Sequence, residues 1–271
     1  MKKLDKRSKY LRKLIIDLFV LGQKSGGGGH FGGSFSLVEI LRVIYDEFAK
    51  FKPNFPNWQN RDRVILSKGH GCLALYAILY DKGILKKKFF LSYGKQFSIL
   101  GGHPEHHIPG VEASTGSLGH GFPIGVGISL GAKLLKKKFK TIVIVGDGEL
   151  NEGSNWEAAM TAQKHKLNNL IIIVDNNSLQ SYGNVKQISG LNNFSKKFKS
   201  FGFKSKEIDG HNLNQIRKAL KNAFEQNNKP SVIICNTIKG KGYFEAENNP
   251  AWHYIKKVSS DEAKKILNEI K

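Results

Sequence analysis

Gly146-Asp147-Gly148 directly follows the apolar run Thr141–Val145, and Asn176-Asn177 directly follows the apolar run Leu170–Val174. Residues 149–175, 27 in all, lie between the two motifs. That length fits one helix and one strand, so a single strand–helix–strand unit sets both motifs side by side at one sheet edge. A carboxylate, an amide oxygen and loop carbonyls gathered there make an all-oxygen site suited to Mg²⁺, which takes few protein ligands and completes its shell with water and phosphate oxygens. Gly148 lets backbone come close to a phosphate, and the helix that follows offers free N–H groups and a favourable dipole. Either motif alone is ordinary turn chemistry; their spacing is what makes the pair informative.

The histidines add a second kind of chemistry. Gly-His steps occur at 29–30, 69–70, 102–103 and 119–120. Glycine brings backbone near a ligand, while imidazole supplies a donor or acceptor and carries protons near neutral pH. His103-Pro-Glu-His-His107 has the alternative reading of a zinc site, but no second cluster with zinc-like spacing accompanies it. His120, His165 and His211 read as structural.

Alternating strand and helix patterns must position these groups, which predicts an α/β fold with an open, mostly parallel sheet flanked by helices. Strands are expected at Arg61–Leu66, Thr141–Val145, Leu170–Val174, Phe203–Ile208 and Ser231–Asn236. Leu11, Leu14, Ile15, Leu18 and Phe19 recur at helical spacing. Further helices are expected after His70 to about Leu79 and over Phe122–Leu135, Ser154–His165, Asn212–Gln226 and Asp261–Glu269, with a loop over Gly240–Asn249. Gly121, Gly125, Gly127 and Gly131 weaken an isolated helix and are tolerable where a backbone or ligand approaches closely. No linker or repeat interrupts the series, so residues 1–271 read as one domain. Its loops at the carboxyl ends of strands are where open α/β sheets bind ligands.

Composition narrows the function classes. With 40% hydrophobic and 10% aromatic residues the chain is not a disordered one. Cys72 and Cys235 alone exclude a disulfide framework and a four-cysteine zinc module, and favour a reduced, cytoplasmic setting. The net charge of +21 comes from 37 Lys and 6 Arg against 22 acidic residues, spread over clusters such as Lys86–Lys88 and Lys136–Lys138. No nucleic-acid motif accompanies this charge, so no nucleic-acid role is expected. Basic residues followed by Leu14–Leu21 imitate a signal peptide, but Asp17 interrupts the stretch and no small-residue cleavage site follows. No apolar run approaches the ~18–20 residues of a membrane span, and the protein reads as soluble.

Taken with its flanks, Gly146-Asp-Gly-Glu-Leu-Asn-Glu-Gly153 resembles the thiamine diphosphate signature of transketolases. The likeness runs from about Lys24 to His253. Lys24–Ser34, Asp62–Gly71, Gly101–Glu105 and Glu112–Gly119 are similar to that family's first histidine loop, second histidine loop, third histidine and cofactor loop, in that order. The resemblance implies Mg²⁺ held by Asp147, the Asn177 side chain and the Leu179 carbonyl. It places Gly146, Gly148, His70 and His253 toward the diphosphate. Gly116, Ser117 and Leu118 would line the thiazolium–aminopyrimidine side; many transketolases have proline where Ser117 stands. His30, His103 and His253 would face a sugar or sugar phosphate, and Glu152 would reach across a subunit contact toward the partner's cofactor site.

The same resemblance implies transfer of a two-carbon ketol unit from a ketose to an aldose. The family's pyrimidine-binding and C-terminal domains, and its catalytic glutamate, have no counterpart here. The chain is therefore expected to be the N-terminal subunit of a split transketolase that works with a separate C-terminal subunit, in an α2β2 assembly. Tyr254 departs from the glycine that often follows the histidine at 253. Lys239-Gly-Lys-Gly242 is also similar to 1-deoxyxylulose-5-phosphate synthase. Two alternatives therefore stand beside the main reading: a decarboxylating enzyme, and a scaffold subunit without catalysis.

Overall fold

The structure, a computed structural model, describes residues 4–181, 183–226 and 228–270. Five strands, β1 (Arg63–Leu66), β2 (Thr141–Gly146), β3 (Leu170–Asn176), β4 (Lys204–Asp209) and β5 (Ser231–Asn236), form one sheet in the order β1-β2-β3-β5-β4. Every pairing is parallel, as the alternating pattern predicts. Gly146 pairs with Asp175, and Asn176 with Asn236. The residues just beyond these pairs, Asp147, Asn177 and Thr237, therefore emerge together at one edge. β1 is shorter than expected because the Asp62 carboxylate accepts the N–H groups of Lys50 (2.8 Å) and Lys140 (2.7 Å). The Arg61 guanidinium is meanwhile engaged by Glu112.

Helices cover both faces. The first face carries α1 (Lys6–Lys24), α2 (Phe31–Phe35), α3 (Val38–Val43) and α4 (Cys72–Asp81). After the short α5 (Lys87–Phe90), α6 (Gly121–Leu134) and α7 (Gly153–Lys164) pack on the other face with α9 (Phe194–Ser200), which follows the single turn α8 (Val185–Ser189). α10 (Leu213–Phe224) and α11 (Ser260–Ile270) return to the first face. Alternate strand residues divide accordingly: Ile142, Ile144, Ile171 and Ile173 join one core, and Val143, Val145, Ile172 and Val174 the other, the period-two signature of a strand buried on both faces. Leu11, Leu14, Ile15, Leu18 and Phe19 are all buried on α1.

The α6 glycines split into two kinds. A side chain at Gly125 would run into Val143 Cγ2 at 2.3 Å, whereas Gly127 and Gly131 have nothing within 4 Å. Close helix–sheet contact explains the first, while the others open onto an uncovered face. Among the described residues no helix is long and apolar enough to cross a membrane.

Candidate active site

The carboxyl ends of β1, β2, β3 and β5 form the floor of a cavity of about 330 Å³. Its floor is charged. Asp175, the one acidic residue in the apolar run of β3, is fully buried and accepts from Lys68 Nζ, Ser36 Oγ (2.7 Å) and Thr237 Oγ1. Burial opposes its ionisation, but the Lys68 ammonium and these hydrogen bonds outweigh burial and hold the carboxyl below its ordinary range. Lys68 also donates to the Gly33 carbonyl at 3.1 Å, which ties the second histidine loop to the first.

Asp147 sits beside this pair under different conditions. Its oxygens accept the N–H groups of Gly148 (2.8 Å) and Ser178. Burial, and then the charge of Asp175, push its pKa up to about 7. The Asn177 side-chain oxygen accepts the Leu179 N–H at 3.1 Å, and the Leu179 carbonyl accepts from Lys239 Nζ at 3.4 Å. Lys239 is 2% exposed and forms no ion pair among the described residues; burial and then Lys68 lower its pKa to about 8. Its ammonium donates to His253 Nδ1 at 2.8 Å. Because an ammonium has no acceptor, His253 Nδ1 carries the lone pair and the ring proton lies on Nε2.

Four imidazoles converge above this floor. His30 lies 5.4 Å from His70, 5.9 Å from His103 and 5.1 Å from His253 between ring centroids. Burial lowers His30 to about 4, assisted by His103 and the two lysines, and lowers His253 to about 3, assisted by Lys239. His70 is likewise well below its ordinary value, through burial and then Lys68. These three rings are neutral at physiological pH. Gly116, at φ +142°, presses its backbone against the His103 ring: a Cβ there would meet Cδ2 at 2.8 Å.

The cavity thus brings together His30, His70, His103, Gly116, Leu118, Gly146, Asp147, Gly148, Glu152, Asn177, Leu179 and His253. Ser117 is exposed and not part of its wall. Glu152 stands at the N-cap position of α7, is exposed and makes no capping hydrogen bond. Glu149 does the internal work in this turn, accepting from Ser67 Oγ, Gly119 N–H (3.0 Å) and Gly146 N–H (3.1 Å). Among the described residues no group of three or more His, Cys, Asp or Glu is set to hold a metal. Glu105 and His106 instead bond Ser114, so the zinc alternative for residues 103–107 has no support.

Of the histidines expected to be structural, His211 accepts the Ile238 N–H on Nε2 (2.8 Å) and donates from Nδ1 to Glu39 (2.8 Å). Arg12 holds the same Glu39 and donates to the Lys241 carbonyl at 2.7 Å. This buried network fixes the loop that carries Lys239. Sequence reasoning passed over Lys68, Asp175 and Lys239. The signals were an acidic residue inside an apolar strand and lysines flanked by glycine.

The family profile described as "Transketolase, thiamine diphosphate binding domain" matches residues 5–267. The chain belongs to the transketolase family, as its N-terminal, thiamine diphosphate-binding part. It is 41% identical over 99% of its length to one subunit of the apulose-4-phosphate transketolase of Actinobacillus succinogenes, and it covers 96% of that relative. It is 38% identical to "6-deoxy-6-sulfo-D-fructose transketolase subunit SqwG" of a Clostridium species, over 93% of this chain and 91% of that one. A crystal structure of transketolase from Campylobacter jejuni superposes with a TM-score of 0.89 and 31% identity, over 98% of this chain and 43% of the other. The chain therefore spans about two fifths of the solved transketolase but nearly all of the Actinobacillus relative. The transketolase reading, not the decarboxylating or scaffold alternative, is the one these relatives bear out.

Proposed function

We propose that residues 1–271 act as the single diphosphate-binding domain and N-terminal subunit of a two-component transketolase, which moves a two-carbon ketol unit from a ketose or its phosphate to an aldose. The observation that carries this reading is a mismatch of charge in one cavity. Asp147 is a buried carboxyl whose hydrogen-bond partners are two backbone N–H groups, and Lys239 is a buried ammonium that meets the Leu179 carbonyl and His253 and, among the described residues, no carboxylate at ion-pair distance. A metal diphosphate answers both: the cation neutralises Asp147, and the phosphates face Lys239. All-oxygen donors suit Mg²⁺, so the residues present fit the group.

In this reading Asp147, the Asn177 side chain and the Leu179 carbonyl hold Mg²⁺. Gly146, Gly148 and His70 adjoin the diphosphate with Lys239 and His253, and Gly116, Ser117 and Leu118 lie along the ring side. Bound thiamine diphosphate supplies the electron sink for cleaving and forming the carbon–carbon bond. His30, His103 and His253 bind the sugar hydroxyls and exchange protons with them, work that suits imidazole nitrogens.

The pyrimidine side comes from a separate C-terminal subunit in an α2β2 assembly, with Glu152 reaching across the contact. Two facts support this. The chain covers nearly the whole of a relative that is itself named as one subunit of a transketolase. The α6–α7 face also leaves Ile124, Leu134, Leu135 and Met160 between 38% and 74% exposed, the kind of apolar surface that marks an interface. Calorimetric titration with thiamine diphosphate, with and without Mg²⁺, tests the cofactor assignment: Mg²⁺-dependent binding supports it, and equal binding without the metal contradicts it.

A further inference from the structure

Beyond His30 and His103 lies a second cavity of about 290 Å³ that shares both rings with the first. Its wall is backbone from residues 22, 27–29, 94 and 101–102, together with the side chains of Cys72, Tyr93 and Tyr254. In a chain of net charge +21, no lysine or arginine is among the described residues lining it. The wall is stiff. Tyr76 Oη donates to the Gly101 and His103 carbonyls (3.1 and 2.8 Å), and the Cys72 thiol donates to Gly102 O at 3.1 Å.

Tyr254 belongs to a strap that closes this cavity. Ile255 pairs antiparallel with Gly29 through two hydrogen bonds of 3.0 and 3.1 Å. Val258 is held by both ends of the Gln23 amide (3.0 and 3.2 Å). Gly28 lets the strap lie flush: a Cβ there would sit 2.3 Å from the Ile255 carbonyl and 3.0 Å from Tyr254 Oη. The Tyr254 ring meets His30 edge-on at 5.0 Å and is 45% exposed. It therefore stands at the boundary of the shared space and has no buried core to fill.

Resting on the reading of ketol transfer at His30 and His103, we propose that the second cavity receives the end of the sugar remote from the reacting carbons. The end it takes is an uncharged carbon chain, and Tyr254 sets how long that chain can be. Apart from the two shared rings, its polar groups are glycine backbone, with the Gly101 and Gly102 carbonyls already engaged, the Cys72 thiol and two phenols, a lining that accommodates hydroxyl-bearing or deoxy carbons and offers no lysine or arginine to a phosphate.

The test uses the two-subunit complex with one ketose donor and glycolaldehyde, glyceraldehyde, erythrose or erythrose 4-phosphate as acceptor. Tyr254→Gly should raise the erythrose-to-glycolaldehyde ratio of kcat/KM by about tenfold or more, with glyceraldehyde between. Tyr254→Phe, which keeps the ring, should keep the wild-type ratio. The erythrose 4-phosphate-to-erythrose ratio should not rise in Tyr254→Gly, because the space gained offers a phosphate no cation. A uniform rise or fall for every acceptor would make Tyr254 merely structural and overturn the proposal, and a rise in the phosphate ratio would overturn its uncharged-end part. If Tyr254→Gly does not fold, judged by thermal melting, Tyr254→Ser is read the same way. Wild-type complex without ketol transfer overturns the functional reading and this one with it; wild-type transfer with unmoved ratios overturns this one alone.

Discussion

The floor and the rim of the cavity are built on opposite principles. The floor groups Lys68, Asp147, Asp175 and Asn177 stand at strand ends and are at most 5% exposed. Backbone amides or neighbouring charges engage each of them. The rim groups His30, His103, His253 and Tyr254 ride on loops, meet one another mainly ring to ring, and are partly exposed. In the floor the Lys68–Asp175 pair keeps its charge, with Asp175 held ionised against its burial, whereas in the rim His30 and His253 are kept neutral. A buried, charged floor suits a permanently held metal diphosphate, and a partly exposed rim of rings suits a substrate that arrives, exchanges protons and leaves. In the proposed reading, holding the cofactor falls to one region and turnover to the other.

Substitutions on either side can break that division. The largest effect is expected at the floor: Asp147→Ala should abolish Mg²⁺-dependent thiamine diphosphate binding with the fold intact, and unchanged affinity by calorimetry would refute the assignment. His70→Ala should weaken cofactor binding. At the rim, His30→Ala and His103→Ala should leave cofactor affinity largely in place and lower turnover by ~10²–10³, as loss of one positioned donor or acid does. Equal loss of cofactor affinity in all the histidine variants would erase the distinction between the two regions.

Protonation sharpens the same contrast. Asp147 is raised from 3.8 to about 7 in the fold, so its contribution to stability is present below the unfolded value and is lost as pH rises through the folded one. Without metal, wild type should lose up to about 4 kcal/mol relative to Asp147→Asn between pH 4 and 7, followed by chemical denaturation. Saturating Mg²⁺ and thiamine diphosphate should reverse the order, because the bound cation favours the ionised carboxylate. His30 and His253 are lowered from 6.5 to about 4 and about 3. Their contribution has the other sign: it is present above 6.5 and lost as pH falls toward those values. Variants lacking either ring should unfold less steeply in acid. A pH-independent difference between wild type and Asp147→Asn would contradict the floor's assigned electrostatics.

The smallest effect on the isolated chain is expected at Glu152. Its carboxylate sits at the start of α7 without capping it, so Glu152→Gln should impair assembly or communication between sites more than melting temperature. Normal assembly and kinetics with a lowered melting temperature would instead make it an ordinary helix-start residue, worth a few tenths of a kcal/mol or more.

How much of this was legible in the sequence follows from how local each determinant is. The apolar runs of β2, β3 and β5 declare themselves because both faces are buried, and Gly-Asp-Gly and Asn-Asn are placed by counting one strand–helix–strand unit. β4, Lys-Ser-Lys-Glu-Ile-Asp, is an edge strand in which only Ile208 is buried, and it shows no apolar run to mark its start at Lys204. The short helices Phe31–Phe35 and Phe194–Ser200 are held by packing: the Phe31 and Phe35 rings meet tilted, 4.1 Å apart between centroids, and Phe198 is completely buried. Their own propensity is weak. The Lys68–Asp175 pair joins residues far apart in the chain, so spacing could not announce it. Lys239 owes its role to a loop that Arg12, Glu39 and His211 secure from three distant segments.

The most direct test of the whole account is a donor–acceptor assay on this chain alone and on the chain co-expressed with its C-terminal subunit, with light scattering on both. The account predicts Mg²⁺-dependent cofactor binding but negligible ketol transfer by the single chain, and turnover on forming the α2β2 assembly. Robust turnover by the purified single chain would contradict it.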